Sequence, residues 1–187
     1  MAMRSNNDSK RYGSPLIALH WLMLVLIVFV YACIELRELY PRGSDIREAL
    51  KTWHYLLGLS VFILVWVRLV VRLLGATPPI LPTPPRWQVR IGHLSELAIY
   101  LFMISMPLLG WMILSAENEP PVLFGLQLPA LVGENKQLAE QVEEMHELVG
   151  NVGYFLIGIH AVAALVHHYI QRDNALVRIL PRRLKDS

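Results

Sequence analysis

Apolar and polar positions in this chain fall into long blocks, with no short period. Tyr12–Ile34, Leu97–Ala116 and Leu148–Gln171 contain no Asp, Glu, Lys or Arg. Trp53–Val67 is also uncharged, and its apolar character continues past Arg68 to Leu74. A bilayer core of about 30 Å takes about 20 apolar residues of helix, so four blocks are long enough to span one. Each is too long for a strand and lacks period-2 alternation. In hydrocarbon, helix also satisfies its own backbone hydrogen bonds. The pattern predicts an all-α membrane protein, a four-transmembrane-helix bundle with spans near 12–34, 53–74, 93–116 and 147–171, forming one domain over 1–187. The first apolar core is longer than that of a cleaved signal, and no small-x-small site follows it. Thr77–Trp87 reads TPPILPTPPRW and is expected as a stiff extended connector. Gly133–Leu148 is polar with good helix formers and extends the fourth span outward. Pro107 predicts a kink in the third.

Composition agrees with this reading. Of 187 residues, 55% are hydrophobic and 17% charged, against about 45–50% and 25% in soluble domains. That excludes an ordinary soluble domain and a disordered chain. A single Cys excludes an internal disulfide framework, and no C-x-x-C-H is present for covalent haem. The net charge of +2 hides an uneven distribution. Arg4, Lys10, Arg11, Arg68, Arg72, Arg86, Arg90, Arg172, Arg178, Arg182, Arg183 and Lys185 fall on one side of the spans. Arg37, Arg42, Arg47, Lys51 and Lys136 fall on the other. The positive-inside rule then puts both termini in the cytoplasm. The last outer loop is acidic, with Glu117, Glu119, Glu134, Glu140, Glu143, Glu144 and Glu147.

Ionisable residues within spans mark candidate function, and here they are histidines. His146 and His160 are fourteen residues apart, which puts them on one helix face about 21 Å apart along the axis. His167 follows seven residues later on nearly the same face. Gly150 and Gly153 lie between the first two. Small residues in such a stripe serve close helix packing or clear space for a large flat ligand, and imidazoles beside clear space suit axial ligation of a porphyrin. Zinc takes three or four clustered ligands, which two histidines half a bilayer apart do not supply. Depth pairs His54, at the outer start of span two, with His146. It pairs His20, near the inner start of span one, with His160. Two non-covalent, bis-histidine b haems use these four ligands, one near each face. Gly58, at His54 + 4, would clear the outer porphyrin. Arg68 and Arg72 lie near the His54 face at its inner end, where they either pair with haem propionates or snorkel to the interface.

His93, His167 and His168 sit at the cytoplasmic edge. An imidazole there suits quinone chemistry, which couples electrons to protons, or simply rests in the headgroups; His167 is the candidate catalytic residue. Tyr12, Trp87 and Tyr169 read as interface aromatics. On the outer side, Arg37, Arg42, Arg47 and Lys51 could guide a small anion, but Glu35, Glu38, Asp45 and Glu48 offset them.

Leu19-His20-Trp21-Leu22, the WHYLLG around His54, Met145-His146-Glu147 and the run GNVGYFLIGIHAVAALVHHYIQRDNALVRILP over 150–181 resemble the bacterial cytochrome b561 family of small di-haem inner-membrane cytochromes. The proline-rich connector is similar as well. The resemblance covers nearly the whole chain. It implies haem ligation by His20, His54, His146 and His160, and electron exchange with the ubiquinone pool. It also implies superoxide:ubiquinone oxidoreductase activity, with superoxide or another periplasmic donor, and a place for His167 near the quinone. The expected partners are the lipid bilayer, the quinone pool and that donor, with no nucleic acid. The competing class is a cytochrome b electron-transfer subunit of a larger membrane dehydrogenase or hydrogenase. A metal transporter is disfavoured because the spans hold almost no carboxylates, Glu96 being the nearest.

Overall fold

The computed structural model describes residues 11–181. Four helices follow one another: α1 Ser14–Arg37, α2 Asp45–Leu74, α3 Arg86–Ala116 and α4 Lys136–Tyr169. A two-stranded antiparallel hairpin, β1 Val122–Leu123 and β2 Leu126–Gln127, lies between α3 and α4. All four helices are long and apolar enough to cross a membrane. Arg4, Lys10, Arg182, Arg183 and Lys185, which contribute to the charge asymmetry, lie outside the described residues.

Local chemistry sets the helix ends. Pro15 opens α1 and Pro85 caps α3, where a missing N–H costs nothing. Ser44 accepts a hydrogen bond from the Arg47 N–H at the start of α2. Asn135 does the same for Leu138 at the start of α4. Both are ordinary N-caps. α2, α3 and α4 begin well before the apolar blocks they carry, because Asp45, Arg86 and Lys136 sit on polar first turns outside the hydrocarbon. The hairpin was not legible in the apolar pattern. Its turn places Phe124 at φ +50° and Gly125 at φ +84°, the left-handed pair that tight hairpins require.

The core joins three helices. Met23 of α1, Val61 and Val65 of α2 and Met103 of α3 are buried together, with Leu26, Ile27, Leu64, Ile99 and Phe102 around them. α4 packs closely on α3 only. No Cα of α4 comes within 8 Å of a Cα in α1 or α2. The bundle therefore has a seam between α4 and the α1–α2 pair, bridged only by side chains.

The two ends of the bundle are closed differently. At the hairpin end, Arg47 is 8% exposed and ties off α1. Its guanidinium donates to the carbonyls of Arg37 and Tyr40 and to Glu38 Oε1, each at 2.9 Å. These satisfy orphan C-terminal carbonyls. Arg47→Ala is expected to lower stability by about 2 kcal/mol by leaving them unpaired, measurable as a lower melting temperature in detergent with the helix content unchanged. At the other end the chain after α4 folds back under the bundle. Tyr12 N–H donates to the Arg178 carbonyl at 3.0 Å, and Trp21 Nε1 to the Ile179 carbonyl at 2.8 Å. Asn174 Oδ1 accepts from Leu81 N–H at 2.7 Å, while its side-chain amide donates to the Pro79 carbonyl. The proline-rich connector and the C-terminal segment thus clasp each other.

Candidate functional site

The seam holds two imidazole pairs at two depths. His54 of α2 faces His146 of α4, with ring centroids 6.1 Å apart and planes at 71°. His20 of α1 faces His160 of α4, at 6.5 Å and 64°. These are the pairs that depth along the helices predicts. Two imidazoles bound to one metal ion from opposite sides, with metal–nitrogen bonds of about 2.0 Å, place their centroids about 6 Å apart. Both pairs are at that spacing. No group of three or more His, Cys, Asp or Glu comes together among the described residues. Each pair therefore offers two axial ligands and leaves the remaining positions of a metal to something other than protein.

The surroundings orient the rings. His54 Nδ1 lies 3.0 Å from the Val30 carbonyl of α1. A backbone carbonyl there requires Nδ1–H, which leaves Nε2 as the free ligand. The His146 ring rests against α3 at Gly110, where a Cβ would come within 3.5 Å of Cε1. His146 Nδ1 is buried beside the Met106 backbone and falls short of hydrogen-bond geometry there. The sequence reading missed Val30 and Gly110. A glycine three residues after Pro107 in an apolar span was the available signal for the second.

The glycines divide. A Cβ on Gly58 would meet nothing within 4 Å, so open space lies beside His54. A Cβ on Gly150 would reach 3.5 Å from Met106 Cε. Gly153 is buried, and a Cβ there would collide with Tyr31 Oη and the Phe102 ring. Gly150 and Gly153 have packing partners in this structure, and Gly58 has clearance. Tyr31 and Tyr154 stack at 4.2 Å across the seam. Tyr31 Oη donates to the Gly150 carbonyl at 2.7 Å, and Tyr154 Oη to Glu35 at 2.6 Å. Nothing in the apolar pattern marked these tyrosines.

The arginines also divide. Arg68 donates to the Leu16 carbonyl at 3.2 Å, one turn before His20 on the same helix, so it stays at the His20–His160 pair. Arg72 turns away to Thr77 Oγ1 at 2.6 Å, Glu96 at 3.4 Å and the Tyr12 ring, a set of contacts at the helix end. His167 is bound through Nδ1 to Asp173 Oδ2, a partner beyond the helix end that the sequence reading missed. His93 is exposed, and His168 packs on Tyr169.

A flat tetrapyrrole fits these residues. It supplies four equatorial ligands of its own, needs two opposed imidazoles, and needs a gap between helices. The seam provides the opposed imidazoles at each depth, and open space beside Gly58 adjoins the His54–His146 pair.

Comparison with known proteins agrees. The family model described as prokaryotic cytochrome b561 matches residues 11–182. Cytochrome b561 homolog 1 of Escherichia coli K12 is 36% identical over 173 residues, covering 92% of this chain and 98% of the relative. A protein of Yersinia pestis named probable superoxide oxidase CybB is 36% identical over 174 residues, covering 93% and 98%. Cytochrome b562 of Cereibacter sphaeroides is 30% identical over 171 residues, covering 89% and 93%. With four membrane-crossing helices and paired imidazoles already in place, these matches show that the chain belongs to the prokaryotic cytochrome b561 family, as a multi-pass cytochrome b oxidoreductase of the bacterial inner membrane.

Proposed function

We propose that the chain holds two b haems, one between His54 and His146 and one between His20 and His160, and moves electrons from periplasmic superoxide to ubiquinone. The observation that carries this is the pair of facing imidazoles, at 6.1 and 6.5 Å, repeated at two depths in one seam. Haem iron supplies reversible one-electron chemistry at potentials set by its ligands and surroundings. The protein's part is to fix the ligands, exclude water and place the two sites in series. His54 with His146, and His20 with His160, would hold the two haems, and with two histidines given to each metal neither superoxide nor quinone would need to bind it. The basic residues put the chain termini in the cytoplasm, so the His54–His146 pair faces the periplasm. Arg68 stays beside the inner pair and is suited to the propionates there. His167 lies about 10 Å further along α4 than His160, where a quinone headgroup reaches both the inner haem edge and an imidazole.

The donor is read from the outer surface and from the relative named a probable superoxide oxidase. Of the basic residues near the outer pair, Arg47 is committed to α1 carbonyls, and Lys51 lies 3.9 Å from Glu117. Arg37 ends α1 seven residues after Val30, which contacts His54, and so continues that helix face outward. Its side chain keeps 27% of its exposure. Arg37 lies 3.9 Å from Glu38, as Lys51 does from Glu117, and its place on the helix face that leads to His54 makes it the cation to test for attracting a small anion. Arg37→Glu is expected to slow haem reduction by superoxide about tenfold at low salt. The gap should shrink as ionic strength rises above about 0.15 M.

The test is stopped-flow mixing of the oxidised, haem-loaded protein with superoxide, with and without ubiquinone. Rapid haem reduction followed by quinone-dependent reoxidation supports the reading. Haem that stays oxidised removes superoxide as donor and favours an electron-transfer subunit of a larger membrane enzyme.

A further inference from the structure

His167 does not stand alone at the end of α4. The chain leaves the helix at Ile170 and turns through Arg172, whose φ of +54° is left-handed. That turn returns Asp173 over the last helical turn. Asp173 N–H donates to the His167 carbonyl at 3.1 Å, Asp173 Oδ1 accepts from Ala175 N–H at 2.8 Å, and Asp173 Oδ2 meets His167 Nδ1. Asp173 is 6% exposed. A buried carboxylate with one oxygen held by Ala175 N–H and its backbone N–H held by the His167 carbonyl is a fixed partner for the imidazole. A non-glycine residue in the left-handed region costs about 1 kcal/mol and persists where the surroundings over-determine it.

Beside this pair lies a cleft of about 200 Å³, lined by Thr83, Pro84, Pro85, Gln88, Gln171 and Asp173. It sits where the proline-rich connector meets the C-terminal segment. Gln88 Oε1, in its wall, is buried and has no hydrogen-bond partner. A volume of that size holds about six waters at about 30 Å³ each.

We infer that Asp173 is a positioning residue that keeps His167 able to carry and release a proton at Nε2. This rests on the reading of His167 as the quinone-site imidazole. The carboxylate accepts from Nδ1–H and stabilises the doubly protonated ring. Nε2–H then donates to a quinone oxygen as that quinone takes electrons from the inner haem. Two electrons and two protons convert the quinone to quinol, and each proton that leaves Nε2 is returned from solvent at this end of the bundle. Nδ1–H never leaves the carboxylate, so the ring cycles between imidazolium and the Nδ1–H neutral form. An amide at position 173 reverses this. Its oxygen still serves Ala175, but its NH2 group faces Nδ1 as a donor, forcing the Nε2–H tautomer and opposing the second proton.

The experiment uses the haem-loaded protein in vesicles, reduced with dithionite so that the haem iron is diamagnetic, with ¹⁵N-labelled histidine. His167→Gln identifies the resonances. Wild type should show His167 protonated at Nδ1, and Asp173→Asn should move the proton to Nε2. In parallel, ubiquinone-dependent reoxidation of the haems is followed in H2O and D2O. Asp173→Asn should lower the maximal rate about 100-fold, raise the solvent isotope effect, and leave the quinone concentration for half-maximal rate and the rate of haem reduction by superoxide within about twofold. Asp173→Glu should recover part of the rate, which a merely structural loss would not. If the tautomer and rate are unchanged in Asp173→Asn while wild type reoxidises with quinone, the role of Asp173 is overturned. If wild-type haem is not reoxidised by quinone at all, the quinone-site reading fails with it, and the two failures are told apart by the wild-type trace. Should Asp173→Asn lose haem, Asp173→Glu carries the test: it should keep the proton at Nδ1 with a reduced rate, and a proton at Nε2 with a wild-type rate overturns the role.

Discussion

His146→Ala is expected to bind one haem where the intact protein is expected to bind two, and His160→Ala is expected to keep the haem that His146→Ala loses. The pairs share no residue, and their α4 members are about 21 Å apart along one helix, so the loss of one ligand leaves the other site's imidazoles in place. Removing one axial histidine also leaves the facing ring with no metal bond and an apolar gap, so the whole site empties. Haem content per chain should fall from two to about one in each variant, with the amplitude of the reduced-minus-oxidised spectrum roughly halved. His54→Ala should match His146→Ala, and His20→Ala should match His160→Ala. The double variant His54→Ala/His146→Ala should be no worse than either single one, because the partners act as a unit. A double variant that loses both haems, or single variants that each lose half of both, would overturn the pairing, provided circular dichroism shows the helices intact. Reaction with superoxide separates the variants further. Loss of the outer haem should abolish fast reduction, and loss of the inner haem should leave a reducible protein that quinone cannot reoxidise.

Much of this was legible in the sequence because two periodicities are strong in a membrane protein. Blocks of about 20 uncharged residues give the spans, and the helical repeat puts His146 and His160 on one face. Direction of travel through the bilayer then sorts His54 and His20 to opposite depths. What the sequence did not reveal depends on helix–helix register, which no single helix carries. Val30 orients His54 only because α1 and α2 meet at that level. Gly110 accepts the His146 ring only because α3 lies behind α4. The Tyr31–Tyr154 stack needs the spacing of α1 and α4. Asp173 lies outside every span, and its contact with His167 depends on a left-handed residue at Arg172, where sequence patterns lead one to expect glycine. Arg72 follows the helical repeat to the same face as Arg68, yet Thr77, Glu96 and Tyr12 draw it to the helix end. The hairpin at 122–127 is too short to show a pattern.

Gly153 makes the sharpest packing prediction, because it is where α4 comes up against side chains of both α1 and α3. A Cβ added there would lie 2.5 Å from Cε2 and Cζ of Phe102 and closer still to Tyr31 Oη. Neither neighbour yields easily. Phe102 packs against the buried Met23–Val61–Val65–Met103 cluster, and Tyr31 is anchored by the Gly150 carbonyl. Overfilling a packed site costs about 1–3 kcal/mol, and with two crowded partners Gly153→Ala should fall at the upper end. The expected result is a melting temperature in detergent lower by several degrees, with partial loss of both haems, since displacing α4 moves His146 and His160 together. Gly153→Leu should give no haem-loaded protein. Gly58→Ala is the control: its Cβ meets nothing within 4 Å, so the fold should tolerate it, and any effect should fall on the outer haem beside His54. Phe102→Leu in the Gly153→Ala background should recover at least half of the lost stability by vacating the ring edge the new methyl strikes. Gly153→Ala with unchanged stability and two haems would show that α4 stands further from Tyr31 and Phe102 than this packing requires. The seam would then have to be held open by its ligands and not by glycine.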